Sequence, residues 1–267
     1  MRYFSEEKLI RFNELLLSCG RFMLNACVDE EGSSDVKKKC GDADFVTVFD
    51  EGVQKMLISG LSDLFPGAHF FAEEKENSED DVKHGICFVI DPIDGTTNFI
   101  HNLGASTISI AMLNDGELVF ACVYDPYRND IFTAFCGEGA FCNGKRISVS
   151  ERKLDTSVIA FGTTPYRKQQ YAAEGFAIAQ KIFSNCADIR RSGSAALDMA
   201  YVACGKLDGF FECILSPWDY AAGALLVKEA GGEVSDFCGN GITLSVPGSL
   251  LCSNKIIHNK LMALINK

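Results

Sequence analysis

The run Phe88-Val-Ile-Asp91-Pro92-Ile93-Asp94-Gly95-Thr96-Thr97-Asn98-Phe99 constrains this chain more than any other stretch. Residues 86–90 form an apolar run that reads as a buried strand. It ends abruptly in two carboxylates three residues apart, with a proline between them. Gly95-Thr96-Thr97-Asn98 then reads as the entry to a short helix. A strand end, a helix start and two acidic side chains must therefore meet at one point. Such a point can hold hard divalent cations on the carboxylates and an anion on backbone N–H groups. The plain alternative is that Asp91 and Asp94 cap a turn, a common use of Asp beside Pro and Gly. Two carboxylates with Gly-Thr-Thr directly behind them weigh against it.

Two carboxylates alone hold Mg2+ poorly against water, so further ligands are expected. Glu73-Glu74 close a short apolar strand over 69–72, although Glu76, Glu79, Asp80 and Asp81 continue the acidity as in a solvated turn. Asp219, in Ser-Pro-Trp-Asp-Tyr, sits where a helix begins, so an N-cap is the alternative there. Trp218 beside it is the only Trp of the chain and reads as buried, which favours a site. Asp44-Phe-Val-Thr47-Val-Phe-Asp50 is a third acidic segment, in which Asp50 would by default be another N-cap.

Hydrophobic spacing predicts a long amphipathic helix over 5–29 with Ser5 as its cap, then a Gly-, Ser- and Lys-rich loop over 30–41. A second helix is expected from about 50 to 64, closing at Pro66-Gly67. Strands over 107–113 and 118–124 flank Asn114-Asp115-Gly116, a strong hairpin signal. Further strands are expected over 131–135, 158–162 and 209–213. Helices are expected over 166–183, 195–204 and 219–230, the last stopping at Gly231-Gly232. Helices segregated around largely antiparallel sheets give an α+β class. There is no internal repeat and no dividing linker, so residues 1–267 read as one catalytic unit. A subdivision near 150–155, into a metal-site half and a C-terminal half, is the alternative.

The chain has 267 residues with 25 Lys+Arg against 36 Asp+Glu, a net charge of −11. That balance weighs against gripping nucleic acid, or acting as a nuclease with a basic groove. The 12 cysteines include no Cys-x-x-Cys pair and several lie in apolar runs. They read as small buried hydrophobes of a reducing cytoplasm. No signal-type start and no apolar run near ~18 residues occurs, so a soluble cytoplasmic protein with no membrane partner is expected.

Six segments together resemble the inositol monophosphatase family of Mg2+-dependent, lithium-sensitive phosphatases, most of all its bacterial inositol-1-monophosphatase members. They are 44–50, Ala72-Glu-Glu74, 91–99, Gly137-Glu-Gly-Ala-Phe-Cys-Asn-Gly144, Arg191-Ser-Gly-Ser-Ala-Ala196 and Trp218-Asp-Tyr-Ala-Ala-Gly223. The resemblance covers essentially the whole chain. It implies a layered α/β/α/β/α sandwich of the sugar-phosphatase type and a homodimer. It implies two to three Mg2+ ions: one on Glu73, Asp91 and the Ile93 carbonyl, a second on Asp91, Asp94 and Asp219, and a weaker third near Glu73. Gly95 and Thr96 amides would hold the substrate phosphate, and Thr96 with Asp50 would orient and deprotonate the attacking water. Glu212, with Asp94, Gly193, Ser194 and Ala195, would line the pocket for the sugar or inositol. Lithium inhibition would follow if Li+ replaced the second Mg2+.

Within such a family the substrate stays open among inositol monophosphate or another sugar or polyol phosphate, fructose-1,6-bisphosphate, histidinol phosphate and nucleotide 3′-phosphates. Arg190-Arg191 could meet a second phosphate or form a surface ion pair. Lys37-Lys38-Lys39 could be a solvated run or a lid near the metals. A different class is a catalytically silent regulator that keeps the fold for protein or RNA contacts; the intact ligand positions count against it.

Overall fold

Local chemistry sets where the helices begin. Ser5 accepts the Lys8 N–H and opens the first helix, as its position in the sequence suggests. Thr47 and Asp50 form a reciprocal capping box, so Thr47, not Asp50, is the cap of the second. Ser216 plays that part for the helix of Asp219, and Pro217 takes its first turn, where a missing N–H costs nothing.

The computed structural model describes residues 3–25, 36–38 and 45–267. In chain order the elements are α1 (Glu6–Leu24), β1 (Val36–Lys38), β2 (Phe45–Thr47), α2 (Val48–Leu64), β3 (His69–Ala72), β4 (Ile86–Asp94) and α3 (Thr96–Ile100). Then come β5 (Thr107–Asn114), β6 (Glu117–Asp125), β7 (Asp130–Phe135), β8 (Gly139–Cys142), β9 (Lys145–Ile147) and β10 (Val158–Phe161). The chain closes with α4 (Lys168–Phe183), β11 (Asp188–Arg190), α5 (Ala195–Ala203), β12 (Gly209–Leu215), α6 (Pro217–Glu229), β13 (Glu233–Ser235), β14 (Gly248–Ser253) and α7 (His258–Ile265).

β3 to β9 form a seven-stranded sheet in sequence order, antiparallel except for the β3–β4 pair. β11-β10-β12-β14-β13 form a second sheet, parallel from β11 to β12 and antiparallel beyond. β1 and β2 pair as a separate antiparallel ribbon. α1 and α2 cover one face of the larger sheet, α5 and α6 fill the space between the sheets, and α4 and α7 cover the far face of the smaller. The five layers are those expected.

Three apolar clusters hold the five layers together: an outer one under α1 and α2, one spanning both faces of α5 and α6, and one under α4 and α7. Phe4, Phe12, Leu57, Leu61, Phe88 and Phe120 fill the outer one, with edge-on ring contacts such as Phe12–Phe120 at 5.3 Å. Between the sheets, α5 and α6 present Ala196, Ala200, Ala203, Ala221, Ala222 and Ala224. Small side chains there let the two helices sit close between two strand layers.

Several expectations need correction. The first helix ends at Leu24, with Asn25 as its C-cap; residues 26–29, Lys39 and Asp44 lie outside the described residues. The expected loop over 30–41 contains β1, so Lys37 and Lys38 belong to a strand. β2, β8, β9, β11, β13, β14 and α7 are additions to the expected elements, and α6 starts two residues earlier than expected. Trp218 is partly exposed and leans on Phe71 at 5.7 Å. The ten described cysteines are free thiols; burial pushes those of Cys19 and Cys87 up to about 12, as fits packing residues. No described helix is long and apolar enough to cross a membrane.

Candidate active site

A break in strand register builds the centre of the site. β4 pairs with β5 through Asp91↔Ser109 and Asp94↔Thr107, so three steps on β4 oppose two on β5. In a regular strand, residues three apart point to opposite faces. The one-residue bulge at Pro92-Ile93 cancels that alternation, and both carboxylates line the same cleft. Proline suits the bulge because it has no N–H to leave unpaired. Asp91 secures the turn by accepting the Ile93 N–H at 3.0 Å.

Parallel pairing brings the third carboxylate. The register Ala72↔Ile90 sets Glu73 next to Asp91, with the Glu73 N–H donating to the Ile90 carbonyl. Gln54 of α2 holds the following residue by accepting the Glu74 N–H at 2.9 Å. Asp219 arrives at the first turn of α6, where its Oδ2 accepts the Ser216 N–H at 2.7 Å. Asp50 reaches the same region from α2: its Oδ2 takes the Thr47 N–H and hydroxyl, and its Oδ1 faces the Thr96 hydroxyl at 3.3 Å. That hydroxyl is also 3.1 Å from the Ile93 carbonyl, so its single proton serves one of two acceptors.

Glu73, Asp91, Ile93, Asp94, Gly95, Thr96, Gly193, Ser194, Ala195, Glu212 and Asp219 all line one open cleft. Among the predicted residues only Asp50 stands behind its wall, joined to it through Thr96. Gly95 adopts φ 91°, a conformation glycine takes without strain, and carries the chain from β4 into α3. The Ser194 hydroxyl, expected near a substrate, is engaged with Asp94 at 2.6 Å and caps α5 through the Leu197 N–H.

The cluster carries concentrated negative charge. Burial first, then Glu73, Asp94, Asp219 and Asp50, push the Asp91 carboxyl well above the usual carboxylate range. Asp219 is raised by burial, then by Glu73 and Asp94. Asp94 rises only to about 6, because Ser194 and the Ala196 N–H stabilise its anion against burial. Among the described residues, no three Asp, Glu, His or Cys side chains are grouped closely enough, as they stand, to hold a metal ion. What they share is the cleft and the electrostatic cost of lying along it.

The cleft also contains residues that sequence reading passes over. Asn98 is buried and donates to the Ala105 and Ser192 carbonyls, pinning α3 to the 192–195 turn. Asp198 is buried on α5 and raised to about 8, by burial first. Tyr166 stands at the rim, its hydroxyl pushed up by burial and by Asp219, Glu212 and Glu73. Asn98 follows the Gly-Thr-Thr run directly, a signal present in the sequence; Asp198 and Tyr166 are gathered only by tertiary packing. The two arginines separate. Arg190 makes a surface ion pair with Asp188. Arg191 lines the cleft, where its charge offsets part of the burial that raises Glu212.

Comparison with known proteins identifies the family of this fold. The sequence pattern of the inositol monophosphatase family matches residues 6–267. The Nus factor SuhB of Escherichia coli is 45% identical over 227 residues, covering 84% of this chain and 83% of its own. The inositol-1-monophosphatase of Mesorhizobium japonicum is 38% identical over 229 residues, covering 85% of each. The crystal structure of the extragenic suppressor protein suhB from Bartonella henselae superposes with a TM-score of 0.88 at 35% identity, covering 97% of this chain and 98% of that one. The "Nus factor" name on a 45% relative gives no support to the expectation that nucleic acid is absent from this chain's partners. The chain belongs to the inositol monophosphatase family.

Proposed function

We propose that the protein is a Mg2+-dependent phosphomonoesterase for inositol monophosphate or a related small sugar or polyol phosphate. The observation that carries this reading is the lining of one cleft by Glu73, Asp91, Asp94 and Asp219 beside the Gly95-Thr96 turn. The donor set is all hard oxygen, which suits Mg2+. Burial and mutual repulsion that drive Asp91 and Asp219 toward protonation would be relieved by divalent cations. Glu73, Asp91 and the Ile93 carbonyl would hold one ion; Asp91, Asp94 and Asp219 a second; a third, weaker ion would lie near Glu73. Bound there, the ions would neutralise phosphate oxygens and make water more acidic.

The chain's own groups have distinct parts. Gly95 and Thr96 amides would receive the phosphate. The Thr96 hydroxyl would accept a hydrogen bond from the attacking water and pass a proton toward Asp50 Oδ1, the oxygen that Thr47 leaves for it. Glu212, raised to about 7 by burial and moderated by Thr164, would accept hydroxyl hydrogen bonds from the alcohol half of the ester, with Gly193 and Ala195 beside it. Dimerisation, lithium inhibition, a cytoplasmic setting and a single catalytic unit over 1–267 belong to the same reading.

Phosphate release from inositol-1-phosphate, glycerol-2-phosphate, fructose-1,6-bisphosphate, adenosine 3′,5′-bisphosphate and histidinol phosphate, with Mg2+, with EDTA and with millimolar Li+, tests it. Activity that survives EDTA would exclude the metal mechanism. Arg191 in the cleft favours including the two bisphosphates. A second reading, a catalytically silent regulator that binds protein or RNA, is favoured by the Nus factor name of the 45% relative. It requires that no small ester release phosphate under any of these conditions.

A further inference from the structure

Thr164 takes no part in the catalytic steps above, yet its geometry is unusual. It is buried, and its backbone lies in the left-handed region at φ 41° and ψ 66°. A β-branched residue is strained there, because Cβ crowds the neighbouring carbonyl oxygen; glycine or asparagine would be at ease. The conformation turns both hydrogen-bond donors of the residue onto one atom. The Thr164 N–H donates to Glu212 Oε1 at 2.7 Å, and its hydroxyl lies 2.8 Å from the same oxygen. That hydroxyl is also 3.0 Å from the Ile214 carbonyl.

Gly162 closes the other side of the slot. A Cβ on Gly162 would lie 1.8 Å from Glu212 Oε2 and 2.1 Å from its Cδ, so only glycine leaves room for the carboxylate. Glu212 itself sits at a register break, with Glu212↔Leu250 followed by Leu215↔Gly248 on β14. A bulge on β12, a glycine and a strained threonine thus converge on one side chain in the cleft wall. Strain of this kind persists only where the surroundings enforce it, and functional sites are where it collects.

We propose that Thr164 is a positioning residue: it fixes Glu212 in one orientation and thereby selects phosphate esters whose alcohol carries neighbouring hydroxyl groups. The proposal rests on the phosphatase reading and adds a residue to it. With Oε1 held by Thr164, Oε2 is the oxygen left for a ligand hydroxyl, and little side-chain freedom remains to be lost when that hydroxyl arrives. An ester with no hydroxyl beside the phosphate gains nothing from this arrangement.

The test compares wild type, Thr164→Val and Thr164→Ser on inositol-1-phosphate and on phenyl phosphate, both with Mg2+. Valine keeps the shape and the backbone N–H donor but loses the hydroxyl that shares Glu212 Oε1 with it; serine retains it. Thr164→Val should raise KM for inositol-1-phosphate about tenfold, the usual scale for losing a hydrogen bond to a charged group. Its kcat should stay within about twofold, phenyl phosphate kinetics should be unchanged, and Thr164→Ser should behave as wild type. Equal losses on both esters, or none on inositol-1-phosphate, would overturn the proposal. A crystal structure of Thr164→Val gives a readout independent of turnover: Glu212 should leave its slot, and an unmoved carboxylate would refute the clamp. Wild type inert on both esters would overturn the phosphatase reading and the selectivity role together, while the clamp would still be judged by that structure.

Discussion

The hydroxyl of Ser194 donates to Asp94 Oδ2 over 2.6 Å, tying the end of β4 to the start of α5 one hundred residues later. The Ala196 N–H reaches the same oxygen at 2.7 Å. Asp94 is thus held by two donors from the start of a helix, which keep its carboxyl near 6 despite burial. Ser194→Ala removes one donor and the helix cap together. We expect a stability loss of about 1–2 kcal/mol in urea unfolding. The Asp94 carboxyl, followed by NMR in metal-free protein, should move above its wild-type value.

Metal-free protein should lose stability as pH rises. Asp94, Glu212 and Asp198 are raised to about 6, 7 and 8 in the folded state. A carboxyl raised on folding binds its proton more tightly in the native state, so the unfolded chain holds fewer protons between the two values. Stability therefore falls from the ordinary carboxylate range near pH 4 up through about pH 8. The melting temperature in EDTA should be several degrees lower at pH 8.5 than at pH 5.5, since each kcal/mol shifts it by ~2–4 °C at this size. Mg2+ at pH 8.5 should recover part of the loss. A pH-independent melt would contradict the electrostatics of the cleft.

Gly162→Ala should displace Glu212, because the new Cβ would overlap its carboxylate. Selectivity for inositol-1-phosphate over phenyl phosphate should fall about tenfold or more, the cost of losing hydrogen bonds to a charged group. Turnover of phenyl phosphate should persist. Steady-state kinetics on the two esters decides it.

Asp208 ties the 150–155 segment to the C-terminal half of the chain. It is buried, accepts the Val158 N–H at 2.7 Å and pairs with Arg152 at 2.8 Å, with Ser150 as a further donor. Asp208→Ala strands those donors and should cost about 1–3 kcal/mol by chemical denaturation. A loss below ~1 kcal/mol would show that the junction carries little of the fold's stability.

How far the sequence reaches depends on how local each signal is. The turn Asn114-Asp115-Gly116 needs only its own geometry, and β5 and β6 flank it as expected. Asp91 and Asp94 are legible as neighbours of a strand end, but the bulge that turns both to one face shows only in pairing with β5. Asp50 and Asp219 read as caps, although Thr47-x-x-Asp50 and Ser216-x-x-Asp219 carry the capping-box spacing that assigns them the third helical position. β14 and α7 escape because six and eight residues give too little periodicity to read. Thr164 carries no local signal at all; its role exists only once β12 brings Glu212 beside it.

Asp91 offers the most direct measurement, because burial and four neighbouring carboxylates all act on it. Asp91→Asn removes one charge from a crowded cluster while keeping the side chain's shape. In EDTA at pH 8 the variant should melt at or above the wild-type temperature, since repulsion from Glu73, Asp94, Asp219 and Asp50 is relieved. With Mg2+ and inositol-1-phosphate, its phosphate release should fall by at least about 10²–10³-fold, the scale of losing one key electrostatic contribution. A folded Asp91→Asn protein that releases phosphate at the wild-type rate would contradict the assignment of this cleft as a metal-dependent phosphatase site.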